Sequence, residues 1–82
     1  MNLKLHLEQL DMAAQELDTG PGPRRGEIGN LRLMIRLTIS MIMESDMEGV
    51  KIMLPAIIDV KTRLNELANN PAYAGKHQHL NN

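Results

Sequence analysis

Apolar residues recur along this chain at helical spacing in three separate runs. In the first, Leu3, Leu7, Leu10, Ala14 and Leu17 alternate steps of four and three, which places them on one seam of a helix over about residues 2–18. Lys4, Glu8, Asp11, Gln15 and Asp18 fall off that seam, and Leu5 and Met12 hint at a second, weaker contact face. The alternation Leu3-Lys4-Leu5-His6-Leu7 would also suit a strand, but it stops after Leu7 while the helical period persists. Thr19-Gly20-Pro21-Gly22-Pro23 ends the run. Two prolines and two glycines cannot continue a helix, so residues 19–23 read as a stiff connector.

The second run predicts a helix over about 24–44, with Pro23 tolerated at its first turn. At about 100° per residue, Ile28, Leu31, Met34, Ile35, Leu37, Ile39, Met41 and Ile42 cover well over half of its circumference. Gly29, Arg32, Arg36, Ser40 and Glu44 form the polar strip, interrupted by Leu33 and Met43. A helix this apolar requires contact on at least two sides. In the third run, Val50, Met53, Ile57, Val60, Leu64 and Leu67 hold a heptad spacing, predicting a helix over about 46–69. Ser45-Asp46-Met47-Glu48 has the S-x-x-E form of a capping box at its start. Pro55 lies within the run. Because the apolar phase is unbroken across it, the expectation is a kinked helix in which the Lys51 carbonyl loses its partner, with a break at Leu54 as the alternative. Asn69-Asn70-Pro71 is a stop, and residues 72–82 read as a polar, mobile tail.

The expected fold class is therefore all-α: a three-helix unit in residues 1–71, with helices 2 and 3 as an antiparallel hairpin. With 82 residues and no Cys, Trp or Phe, the core is aliphatic and no disulfide or thiolate metal site can reinforce it. A core of this size rarely supplies more than about 3–5 kcal/mol unaided. Self-association into a dimer or higher oligomer is the expected reinforcement, through Leu33, Met34, Leu37, Met41, Ile42, Ile57 and Leu64. The seven methionines serve either to fill a core without rings or to form an adaptable binding surface.

The formal charge of −1 gives no global attraction to nucleic acid or anionic membrane. The N-terminal residues lack the uninterrupted apolar core of a signal peptide. The stretch Ile28–Met43 carries Asn30, Arg32 and Arg36, and mid-span arginines cost roughly 2.5–3.5 kcal/mol each on insertion. The expectation is a soluble, cytoplasmic protein without a membrane partner.

Candidate chemistry is sparse. Arg24, Arg25 and Gly26 stand at the start of helix 2, where cations oppose the helix dipole. An anion such as phosphate or a nucleotide would meet free N–H groups and guanidinium forks there, with Arg32 and Arg36 extending the patch and Tyr73 or Lys76 closing over it. The plainer alternative is pairing of these arginines with the acids of helix 1, Glu8, Asp11, Glu16 and Asp18. A phosphate backbone would suit the same stripe, but no aromatic residue interleaves with it. His77 and His79 lie in the tail and His6 far away in sequence, so no metal or other cofactor is expected. Asp59 and Arg63, at i and i+4, read as an ordinary surface pair. Ser40 and Ser45 have no visible base, and no grouping combines nucleophile, base and oxyanion donor. The leading expectation is a non-enzymatic interaction protein that assembles with itself and docks on, sequesters or inhibits another macromolecule, as a small regulator or inhibitor. A binder of a small anionic ligand and a nucleic-acid-binding regulator are the alternatives.

Overall fold

The computed structural model describes residues 2–18 and 25–69, and of Arg25 the backbone alone. It contains three helices, α1 (Leu3–Leu17), α2 (Arg25–Met43) and α3 (Met47–Ala68), and no strand among the described residues. α1 and α3 are one residue shorter at each end than the periodicity implied, and α2 is one residue shorter at its C-terminal end. The connector at 19–23 and the tail at 72–82 lie outside the described residues.

The starts of α1 and α3 are each held by a side chain of the type that competes with backbone outside helices and caps well at their edges. Asn2 Oδ1 accepts the Leu5 N–H at 3.0 Å and opens α1. Asp46 Oδ1 accepts the Gly49 N–H at 3.0 Å and opens α3. The cap of α3 is therefore Asp46, one residue later than a Ser45–Glu48 box would place it. Ser45 has a different task. Its φ of 59° is left-handed, its N–H reaches the Ile42 carbonyl at 3.0 Å, and the Asp46 N–H reaches the Met41 carbonyl at 2.8 Å. These are the two bonds of a Schellman closure, made here with serine where glycine is usual. A methyl group on Gly49 would lie 2.5 Å from Asp46 Oδ2 and 2.9 Å from Met41 Sδ. Glycine at that position thus lets the cap and the Met41 side chain close on the same spot.

α3 runs through Pro55 as one helix and does not break at Leu54. Pro55 lies on the exposed side, where water can serve the Lys51 carbonyl that the missing N–H leaves free. The buried positions of α3, Val50, Ile57, Val60, Leu64 and Leu67, keep the heptad phase on both sides of it.

The helices pack up, down and up. Arg32 and Arg36 of α2 reach Asp18 and Asp11 of α1 in reverse order, and Glu27 near the start of α2 meets Arg63 near the end of α3. Both neighbours of α2 are therefore antiparallel to it. α1 lies mainly along α2 and touches α3 less. The core draws Leu7, Ala14 and Leu17 from α1, Ile28 and Ile35 from α2, and Ile57, Val60, Leu64 and Leu67 from α3. Full burial of a leucine or isoleucine stabilises by about 1.5–3 kcal/mol, so this aliphatic layer dominates the folding energy.

Two interface expectations are overturned here. Ile57 and Leu64 are buried inside the chain's own core, because the α3 seam that carries them turns toward α1 and α2. Met34 and Ile42 are also largely taken up by packing against that core. Thr38, by contrast, counts as polar in sequence but is wholly buried. Its hydroxyl donates to the Met34 carbonyl one turn back at 2.9 Å, which removes the cost of hiding an unpaired donor.

Candidate interaction surface

Two groups of residues stand out on this scaffold: the arginines of α2 and α3, and the large apolar side chains that the core leaves outside.

The arginines are engaged within the chain. Arg32 Nε donates to Asp11 Oδ1 at 3.1 Å, and its Nη1 lies 4.0 Å from Asp18 Oδ2. Asp11 also holds Arg36, whose Nε is 3.5 Å from Oδ2. The Arg32 and Asp11 side chains are both more than four-fifths covered, so this pair forms a polar seam beside the apolar contact of α1 with α2. Charge-assisted bonds in such partly desolvated positions are stronger than exposed ion pairs. Arg36 is the outer member and is mostly exposed.

Arg63 does not pair with Asp59, four residues back. Its Nε and Nη2 grip both carboxylate oxygens of Glu27, the latter at 3.0 Å, and Nη1 donates to Glu66 Oε1 at 3.2 Å. The hydrogen bonds to Glu27 and then Glu66 raise its pKa further above the usual arginine value, so it stays charged at every accessible pH. This fork ties the start of α2 to the end of α3 across 36 residues of sequence. The carboxylate at Glu27 is the acidic residue in the first turn of α2, where it also favours the helix dipole.

Of the residues expected to hold an anion, Gly26 is exposed at the start of α2, Arg32 and Arg36 face α1, and Arg24, Tyr73 and Lys76 lie outside the described residues, as does the Arg25 side chain. Arg32 and Arg36 thus engage Asp11 and Asp18, two of the four α1 acids named in that plainer alternative. His77 and His79 also fall outside the described residues. Among the described residues no three His, Asp or Glu side chains come together to hold a metal ion.

The second group is distributed over all three helices. Leu5 and Met12 project from α1, Leu33, Leu37 and Met43 from α2, and Met47, Ile52, Leu54 and Ile58 from α3. Of the seven residues expected at a subunit interface, Leu33 is 64% exposed and Leu37 48%. Met41 is partly covered at the closed end of the hairpin beside Gly49. The exposed residues of α3 are invisible to a reading that looks only for the dominant seam, since they lie on its back. Their signal in sequence is Ile52 and Ile58, which fall out of phase with Val50, Ile57 and Val60.

The outward side of α2 differs from the other two in charge. Gly26, Gly29, Asn30, Leu33, Leu37, Ser40, Met43 and Glu44 are exposed there, and among the described side chains of α2 Arg36 is the one exposed charge before Glu44. On α3, Glu48, Lys51, Asp59, Lys61 and Glu66 are exposed among the apolar residues, and on α1, Glu8 and Glu16. No described helix is long and apolar enough to cross a membrane.

No protein-family model, curated protein or solved structure matches this chain. All-α architecture is what the fold defines, and architecture of this kind is compatible with many activities.

Proposed function

We propose that this chain is a non-enzymatic helical interaction protein that associates with itself and, so assembled, binds and sequesters or inhibits another macromolecule. The observation that carries the reading is the row Leu33 and Leu37 on the outward face of α2, the first largely and the second about half exposed although their helix is the central one of the fold. Removing apolar area from water contributes about 25 cal/mol per Å², so such a row on a small domain is a reservoir of association energy. The exposed Ile52, Leu54 and Ile58 of α3 supply a second apolar surface for the further partner. Neither the anion-binding nor the nucleic-acid reading has comparable support, because Arg32 and Arg36 are held by Asp11 and Asp18.

Sedimentation velocity over a range of concentrations tests the reading. The expected result is a concentration-dependent shift from one chain to two or more, lost in Leu37→Glu with the helical circular dichroism unchanged. A folded monomer throughout the micromolar range would refute it.

A further inference from the structure

The side of the molecule away from α2 is built by α1 and α3, which run parallel and touch each other less than either touches α2. Its large exposed residues are Leu5 and Met12 on α1 and Met47, Leu54 and Ile58 on α3. Leu5 and Met12 lie opposite the buried Leu7 and Ala14. Met47, Leu54 and Ile58 fall within about 40° of one another around α3 at 100° per residue.

The exposed charges of this side divide by helix. On α1 they are Glu8 and Glu16, since Lys4 and His6 are partly covered and Asp11 and Asp18 face Arg32 and Arg36. On α3, Lys51 and Lys61 flank the line of Met47 and Ile58. Glu48, Asp59 and Glu66 lie about 100° further round, on the edge where Arg63 binds Glu66.

The clamps to α2 set the relative heights. Arg36 meets Asp11, and Glu27 meets Arg63. Arg36 and Glu27 are nine residues apart on α2, so Leu54, nine residues before Arg63, stands at about the height of Asp11. Three residues before each, Glu8 is level with Lys51. By the same count Leu5 comes beside Met47, and Met12 beside Leu54.

A two-fold axis parallel to the helices leaves heights unchanged and sets α1 of one copy over α3 of the other. Leu5 then meets the partner's Met47, and Met12 meets the partner's Leu54. Glu8 meets the partner's Lys51, a side chain 3.9 Å from the Glu48 of its own chain and so held between two acids. An axis across the helices would instead lay α1 on α1 and α3 on α3, acid on acid and lysine on lysine. Charge selects the first arrangement.

We infer that a second copy of the chain docks on this face, α1 to α3 in both directions, about a two-fold axis parallel to the helices. The inference goes beyond the α2 row, which lies on the opposite side of the molecule. Apolar residues here are interspersed with charges, so this is the weaker contact and forms above the micromolar range in which the α2 row is tested. A copy seated here hides Leu54 and Ile58 from a further partner and leaves Ile52, on the other side of α3, uncovered.

Leu37→Glu, which removes the α2 contact, isolates this one. The chain has no cysteine of its own. A Leu37→Glu chain carrying Gln9→Cys is mixed, well above micromolar concentration, with a Leu37→Glu chain carrying Leu54→Cys. The mixture is treated with a short thiol cross-linker and resolved by intact mass, with circular dichroism checking that each variant stays helical. Gln9 and Leu54 are both exposed and differ in height by about 3 Å at 1.5 Å per residue. The mixed pair is expected in several-fold excess over either like pair. In the same background, Glu8→Lys and Lys51→Glu should each weaken association by about threefold to tenfold, two exposed ion pairs being turned repulsive. The chain carrying both should recover, because the pair is then reversed and not lost. Like pairs in excess, random proportions or no cross-link overturn the inference, as does a double variant no stronger than the single ones. None of these outcomes touches the α2 contact, which is read from the wild-type chain and its loss in Leu37→Glu at micromolar concentration.

Discussion

α2 presents two faces made from the same few residue types, and they meet opposite fates. Inward, Ile28 and Ile35 are wholly buried with Thr38 between the flanking helices; outward, Leu33 and Leu37 stand in solvent. Leucine and isoleucine do not differ enough in hydrophobicity to explain this. The difference lies in what borders each face. The inward face is rimmed by groups that lock neighbours on: Arg32 with Asp11 on the α1 side, and Glu27 with Arg63 on the α3 side. The outward face carries Gly26, Gly29, Asn30 and Ser40, whose side chains clamp no other described helix onto it, with the exposed Arg36 at its edge reaching Asp11. Position relative to the polar clamps, more than apolar content, decides which side of a greasy helix becomes core.

The largest expected contrast comes from truncating one residue on each face. Ile35→Ala opens a cavity in the aliphatic layer and should destabilise by about 2–5 kcal/mol, enough to exhaust much of the stability of a domain this small. Leu33→Ala removes a side chain already in water and should change monomer stability by less than about 0.5 kcal/mol. Urea denaturation at low protein concentration, where the monomer prevails, measures both. Equal losses at the two sites would mean that the faces are not distinct.

The clamps come next. Asp11→Asn keeps the shape of the side chain but removes the charge that holds Arg32 and Arg36. A loss of about 1.5–3 kcal/mol is expected, the range for hydrogen bonds to charged groups. Arg36→Ala should cost less than about 0.5 kcal/mol, since its guanidinium is mostly exposed. The two losses, measured by thermal unfolding and compared at 1 M salt, tell a covered clamp from a solvated one. Salt should shrink the smaller effect more. A larger loss in Arg36→Ala would reverse the assignment of the inner and outer members of the pair.

Much of this was legible in the chain before any coordinates. The seams of α1 and α3 appear directly in the spacing of Leu3 to Leu17 and of Val50 to Leu67, because a 3.6-residue period needs no knowledge of the partner. Three things escaped, each because it depends on contacts far apart in sequence or on conformation. Ile57 and Leu64 could be recognised as facing inward, but not whether their own chain or another covers them. Arg63 has Asp59 at the favourable helical spacing and yet takes Glu27, 36 residues away, since only the folded hairpin brings that carboxylate near. Ser45 occupies a left-handed turn position that its side chain does not advertise, and the cap passes to Asp46 as a result.

That turn sets the rotation of α3 about α2, and so determines which side of α2 the clamps can enclose. Ser45→Gly should stabilise by about 0.5–1 kcal/mol, the strain of a Cβ at positive φ set partly against the greater freedom glycine gives the unfolded chain. A rise of a few degrees in Tm is expected. A fall in Tm would mean that the serine side chain contributes to the closure beyond its backbone bonds.

The finest test concerns the one polar side chain fully enclosed by the inward face. Thr38 donates its hydroxyl to the Met34 carbonyl, a group that already serves the helix ladder and keeps that bond when the hydroxyl is gone. Thr38→Val replaces the hydroxyl with a methyl of similar size and leaves no donor or acceptor without a partner. Burying the methyl gains up to about 0.8 kcal/mol, while losing a bond to a shared acceptor costs about 0.5–1.5 kcal/mol. The two nearly cancel, and unfolding should shift by less than about 1 kcal/mol in either direction. A loss well beyond that would require the hydroxyl to order something besides its own helix turn. Near-neutrality would instead place Thr38 with Ile28 and Ile35 as a residue whose shape, not its polarity, makes it part of the core.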